Sequence, residues 1–277
     1  MVDLGALAPH LREIEPGVFA ACEHASVSFP SGGHDGCLTL EARSFWFAHR
    51  NEVLLDALIR FPPAGFLLDV GGGNGFVSQA LQDAGYEAVL LEPGAQGVAN
   101  ARARGLCPVI HGTLESAGLL PAVVPAVGLF DVLEHIEDDH AFLTRVWHTL
   151  RPGGRLYLSV PAYGWLWSHA DTQAGHFRRY TTRTLGSLLA AAHFEIEYHT
   201  YFFAFVLAPL FLLRALPDRF RPPARDRQRQ AEREHRPNHA ARWTIDRVCH
   251  AERSWMRAGH RLPCGSSLLV VGRKPSR

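Results

Sequence analysis

Three features of the chain predict an α/β protein built on a mostly parallel sheet with helices on both faces. Short apolar runs alternate with stretches of helical periodicity from Phe66 to Thr200. The first run, Phe66–Val70, stops in four glycines within five residues and opens directly into a helical pattern. Glycine or proline punctuates most later junctions, as at Gly85, Gly105 and Pro152-Gly153-Gly154.

In chain order, residues 1–40 read as irregular, with Ser31–Gly36 an obvious loop. From Leu40 to Ile59 the apolar positions 45, 46, 53, 54, 55 and 58 recur at helical spacing, and Pro62-Pro63 ends the pattern. Phe66–Val70 reads as a buried strand. Phe76–Ala84 reads as a helix with one apolar face, closed by Gly85. Ala88–Leu91 is a strand, Ala95–Arg104 a helix closed by Gly105, and Cys107–Ile110 a strand. Ala126–Phe130 follows as a strand, then a helix near Asp138–Leu150 that the turn Arg151–Gly154 stops. Arg155–Val160 is the next strand, Thr181-Thr182 caps a helix to Ala192, and His193–Thr200 and Ser267–Val271 are the last two strands. Repeated βα units of this length make parallel neighbours.

The rhythm breaks after Thr200. Tyr201–Leu213 carries no charge, and residues 214–247 are rich in arginine. The chain therefore divides into an N-terminal extension with a lid helix (1–60), a sheet core (61–201), an inserted segment (202–262) and a final strand (263–277).

Composition narrows the function classes. With 277 residues, 47% hydrophobic, 20% charged and a net charge of +1, nothing favours nucleic acid as a partner. The Arg-rich run 219–236 is interspersed with acids and lacks stacking aromatics beyond its first residues, a poor nucleic-acid platform. Five cysteines without a Cys-x-x-Cys pair argue for a reducing compartment and against a zinc ribbon. The N-terminus shows acids and Pro-Gly in place of a secretory leader, so a cytoplasmic location is expected. The apolar run 202–213 is shorter than the roughly 20 residues a membrane span needs. It reads either as a buried roof or dimer contact, or, through 202–216, as a peripheral membrane contact.

The glycine loop misses the dinucleotide pattern Gly-x-Gly-x-x-Gly/Ala, because Phe76 or Ser78 stands at the last position. No Gly-Lys-Ser/Thr follows, which excludes a triphosphate loop. The pattern Asp69-x-Gly71-x-Gly73-x-Gly75 offers bare backbone to a nucleoside and tolerates an acid on the strand, because no pyrophosphate has to sit there.

With these residues the chain resembles the class I S-adenosylmethionine-dependent methyltransferases, in their broad small-molecule and lipid-modifying branch. The motifs are Leu68–Gly75, the acid of Leu91-Glu92-Pro93, Phe130-Asp131-Val132-Leu133-Glu134-His135-Ile136, and Leu150-Arg151-Pro152-Gly153-Gly154, in that order. The resemblance covers roughly residues 40–200 and the final strand. It implies a Rossmann-like, seven-stranded, mostly parallel sheet with an antiparallel final pair, and S-adenosyl-L-methionine as cofactor.

It also implies roles. Glu92 accepts from both ribose hydroxyls, and Asp69 orients the glycine loop or the cofactor's amino group. Gly71, Gly73 and Gly75 allow close approach, Thr113 and Leu114 meet the adenine, and Phe130 and Asp131 lie under the sulfonium end. Trp46 and Arg50 form a lid, or else a core Trp and a surface Arg. No metal site is expected, because Glu134 and His135 are adjacent and point apart along a helix.

The loop after the fifth strand is the expected acceptor site. It holds Tyr163, Trp167, His169, Asp171, His176, Arg178 and Arg179. His176 or His169 has the basicity to take a proton from an acceptor. Arg178 and Arg179 either clamp an acidic acceptor or pair with Asp171 to hold the loop. The expected activity is methylation, at oxygen, of a small-molecule or lipid-/glycan-linked acceptor. A non-catalytic or other group-transfer relative, and an NAD-dependent oxidoreductase, are the rivals.

Overall fold

The computed structural model describes residues 2–20, 41, 44–218 and 239–276. The expected loop Ser31–Gly36, residues 40, 42 and 43 at the start of the Leu40–Ile59 helix and the Arg-rich run 219–236 lie outside them.

The strands are β1 (Arg12–Glu15), β2 (Val18–Ala20), β3 (Leu67–Val70), β4 (Ala88–Glu92), β5 (Val109–His111), β6 (Val124–Phe130), β7 (Leu150–Pro161), β8 (Glu195–Phe202) and β9 (Ser267–Arg273). They form one nine-stranded sheet in the order β1-β2-β5-β4-β3-β6-β7-β9-β8. Strands β2 through β7 run parallel to one another, β1 pairs antiparallel with β2, and β9 lies antiparallel between β7 and β8. The mostly parallel sheet with its antiparallel final pair is therefore present.

Two strands were not foreseen. The segment 1–40, read as irregular, supplies β1 and β2, which extend the sheet beyond β5 through the pairing of Val18 with Val109. Their sequences explain the miss. Arg-Glu-Ile-Glu is exposed at every position, and Val-Phe-Ala is too short to show alternation. The expected turn Arg151–Gly154 is also different. It is an irregular start of β7, with Gly153 at φ +78° and a register shift against β6 between Val124 and Ala126.

Strand alternation splits the core in two. Leu68 and Val70 join Leu143, Val146, Leu185 and Leu189 on one face, under helices Asp139–Thr149 and Thr182–Ala191. Leu67 joins Val53, Leu54, Leu58, Val77 and Leu81 on the other, under helices Phe45–Arg60 and Phe76–Asp83. Each such leucine, once buried, contributes about 1.5–3 kcal/mol. Helix caps follow the sequence: Ser44 accepts from the Trp46 amide, and Thr181 forms a capping box with Thr184.

The described residues between β8 and β9 include further helices. Residues 204–218 are helical, and a long helix, His239–Arg257, returns to the core. Its Glu252 is buried and accepts from the Phe203 amide at 2.7 Å, the Ala204 amide at 2.9 Å and His49 at 2.8 Å. Arg253 and Arg257 both pair with Asp56 on the Phe45–Arg60 helix. No helix of the described residues is long and apolar enough to cross a membrane.

Candidate active site

Chain order reverses direction in the sheet between β5 and β6, which leaves a crevice at the carboxyl ends of β3 and β6. A cavity of about 760 Å³ lies there. Gly71, Gly73, Glu92, Thr113, Leu114 and Asp131, all singled out from the sequence, line it.

The glycines divide by what surrounds them. Gly73 sits at φ +57°, and a Cβ on it would meet nothing within 4 Å, because it would project into the cavity. Gly75, at φ +75°, does not line the cavity. A Cβ there would come within 2.2 Å of Leu106, so it serves packing of the loop on helix Ala95–Ala103 and its exit, a correction to its expected contact with ligand.

Glu92, at the end of β4, is 4% exposed. Its Oε2 accepts from the Gly73 amide at 2.8 Å and its Oε1 from the Gly94 amide at 2.7 Å. Burial pushes its carboxyl up to about 7, against those two hydrogen bonds. Asp69 is fully buried below the loop and outside the cavity wall, where Oδ2 accepts from the Ser78 hydroxyl at 2.6 Å. Burial raises it to about 6. It positions the first turn of the helix after the loop, and contact with a cofactor amino group is not what the structure shows.

Phe130 requires a correction. Its side chain lies in the core beside Leu67 and Phe203, and a Cβ on Gly128 would meet it at 2.4 Å. Asp131 alone of that pair reaches the cavity. Its backbone adopts φ +59°, and its carboxylate is held by the Arg50 guanidinium at 2.6 Å and the Ser159 hydroxyl at 3.0 Å. Arg50 thus acts through Asp131. Trp46 is no lid: its ring stacks on Phe203 with centroids 3.8 Å apart.

The expected acceptor loop also departs from the reading. Tyr163 stacks on Tyr201 and Trp165, and Trp165 packs edge-on against Phe211. Neither Tyr163 nor the half-buried Trp167 lines the cavity. His169 uses its backbone amide on Asp218 at 2.8 Å and is also outside. Arg179 forks onto both oxygens of Asp171, at 2.7 and 3.0 Å, so the loop-holding alternative is the one realised. Arg178 pairs with Asp139 at 2.7 Å. Burial alone would raise Asp171, but the His176 and Arg179 contacts outweigh it and hold the carboxyl below the usual range. His176 bonds Asp171 through Nδ1 at 2.9 Å and meets the ring of His135 edge-on at 4.7 Å.

Several wall residues escaped sequence reasoning. Glu41 reaches the cavity from the far N-terminal side and is held by Arg104 at 3.0 Å and Asn74 at 3.3 Å. His135, Ile136, Phe142 and Phe177 also line it. His135 and Ile136 stood inside a quoted motif and Phe177 inside the expected acceptor loop, whereas Glu41 carries no local signal. Burial, aided by His176, lowers His135 to about 4, and burial between Asp131 and Asp171 raises Glu134 well above the usual carboxylate range.

A switch-point cavity with a bare glycine backbone, a buried strand-end acid and no phosphate cradle defines a nucleoside-binding α/β protein of the class I methyltransferase type. Residues 46–199 match the model of the family described as methyltransferase domain, and the chain belongs to that family of S-adenosylmethionine-dependent methyltransferases. Two curated relatives agree. A Mycolicibacterium smegmatis protein, named a probable S-adenosylmethionine-dependent methyltransferase, is 30% identical over 57% of this chain and 62% of its own length. The ubiquinone biosynthesis O-methyltransferase of Xylella fastidiosa is 34% identical over 40% of this chain and 48% of its own. The match thus spans less than two thirds of these relatives. The solved phosphoethanolamine N-methyltransferase 2 of Haemonchus contortus, in complex with S-adenosyl-L-methionine, shares the fold. Its TM-score is 0.53 at 16% identity, over 89% of this chain and 57% of that one.

Proposed function

We propose that the protein transfers the methyl group of S-adenosylmethionine to an oxygen of a small-molecule or lipid-/glycan-linked acceptor. The observation that carries this reading is the cavity whose wall joins Gly71 and Gly73, Glu92 and Asp131. In this reading the bare backbone at Gly73 admits a nucleoside, and the ionised Glu92 accepts from its hydroxyls. The sulfonium supplies an already activated methyl, so the protein's task is alignment and exclusion of water. The oxygen preference draws on the O-methyltransferase among the relatives, and on the apolar wall of Val132, Ile136, Phe142 and Phe177, which suits an acceptor with an apolar body.

The same proposal gives residues 202–216 a role in meeting a lipid-linked acceptor. Leu212 and Leu213 are 57% and 66% exposed, next to Arg214. Incubating the full chain with methyl-labelled cofactor and a lipid extract, then identifying the labelled product, tests the acceptor class. Calorimetry with S-adenosylhomocysteine and with NAD tests the cofactor, and binding of NAD alone would overturn the proposal. Co-sedimentation with anionic liposomes tests residues 202–216.

A further inference from the structure

Glu134, His135 and His176 converge beside the cavity, and the cofactor reading leaves their convergence without a purpose. One oxygen or nitrogen of each lies within 4.8 Å of those of the other two. Glu134 is 1% exposed, and its Oε2 has no hydrogen-bond partner among the described residues. The neighbouring acids are already matched, Asp131 by Arg50 and Asp171 by Arg179. A buried carboxylate with an orphan oxygen either keeps its proton or meets a cation.

We propose that Glu134, His135 and His176 bind a divalent first-row transition metal, Zn²⁺ foremost, at the acceptor side of the cavity. One carboxylate oxygen with two imidazole nitrogens is a donor set for zinc and its neighbours, and a poor one for magnesium or calcium. His176 gives Nδ1 to Asp171 at 2.9 Å, which leaves Nε2 as the ligand atom. Asp171 is in turn gripped by Arg179, the outer arrangement that fixes the ring of a ligating histidine. The Phe177 amide donates to the Glu134 carbonyl at 2.7 Å and ties the two ligand-bearing segments together. Metal–ligand bonds of about 2.0–2.2 Å set ligand atoms about 3.4 Å apart, a closure within side-chain reach.

His135 lines the cavity, so the cation faces it with a coordination position left over. Here the inference rests on the methyl-transfer reading. An acceptor hydroxyl oxygen on the cation gives up its proton to water more readily. Its lone pair then forms the bond to the methyl carbon, and the carbon–sulfur bond breaks with its electron pair left on sulfur.

The test uses the full chain, stripped with a chelator, dialysed, and titrated with Co²⁺ and then Zn²⁺. Binding of one equivalent of Co²⁺, with the visible bands of a low-coordinate site that Zn²⁺ abolishes, is expected. His176→Ala and Glu134→Gln should each weaken Zn²⁺ binding at least about 10–100-fold while leaving S-adenosylhomocysteine affinity unchanged. Wild-type protein that binds S-adenosylhomocysteine but takes up neither metal stoichiometrically would overturn the site, as would variants that hold Zn²⁺ as tightly. Stoichiometric metal uptake without any S-adenosylhomocysteine binding would support the site and refute the methyltransferase reading instead.

Discussion

The Gly73 amide donates to Oε2 of Glu92 at 2.8 Å, so the glycine loop and the acid of the next strand form one unit at the cavity wall. The two residues come from different βα units, and their contact explains why the acid tolerates burial. It also ties the loop's geometry to the protonation of Glu92.

With the proposed ribose contact, Glu92 should make cofactor affinity pH-dependent. Its carboxyl sits near 7 in the ligand-free protein. Ribose hydroxyls donating to the ionised form lower that value, so binding releases a proton. S-adenosylhomocysteine affinity should therefore rise with pH and level off above about 7. Calorimetry in buffers of different ionisation enthalpy reads the proton directly. Glu92→Gln should flatten the profile and cost about 1.5–3 kcal/mol of binding at pH 8.

Asp69 should leave its mark on stability instead. Burial holds its carboxyl up to about 6 in the folded protein, against 3.8 for a free aspartate, so the folded state holds the extra proton between these values. Stability is then fullest below about 4 for this group and falls as pH rises through about 6, by about 3 kcal/mol in all. Asp69→Asn keeps an acceptor for Ser78 and should remove this part of the slope in urea titrations at pH 4 to 7.

Gly73 and Gly75 should fail in different ways. Gly73→Ala meets open space, so its structural cost is the left-handed backbone, about 1–2 kcal/mol, while cofactor binding is lost. Gly75→Ala places its methyl 2.2 Å from Leu106 and should cost more stability than Gly73→Ala. Thermal melts paired with S-adenosylhomocysteine titration separate the two effects.

Glu252 anchors the long helix that precedes β9. Glu252→Ala orphans the Phe203 amide and His49 in the core. A loss of about 3–5 kcal/mol is expected, of the size found when one member of a buried polar cluster is removed. Hydrogen exchange should then speed up in residues 239–257 first.

The element order from Phe66 to Thr200 was readable because each strand and helix there carries its own periodicity and its own glycine or proline stop. The glycine loop and Glu92 were readable for a related reason. A tight turn without side chains and an acid at a strand end are local necessities of nucleoside binding. By contrast, β1 and β2 exist because β5 offers an edge to pair with, and Arg-Glu-Ile-Glu has no local reason to be a strand. Phe130 and Trp46 left their expected places because the second core needed aromatic volume around Phe203.

The chain by itself determined the α/β class and the nucleoside end of the site, since both are encoded within single βα units. Tertiary packing alone decided the other end. It swung the aromatics of the loop after β7 against Tyr201 and Phe211, committed Arg179 to Asp171, and carried His176 to Glu134 and His135. Side chains far apart in sequence acquire such partners only when the sheet brings their segments together, and no periodicity within either segment records the meeting.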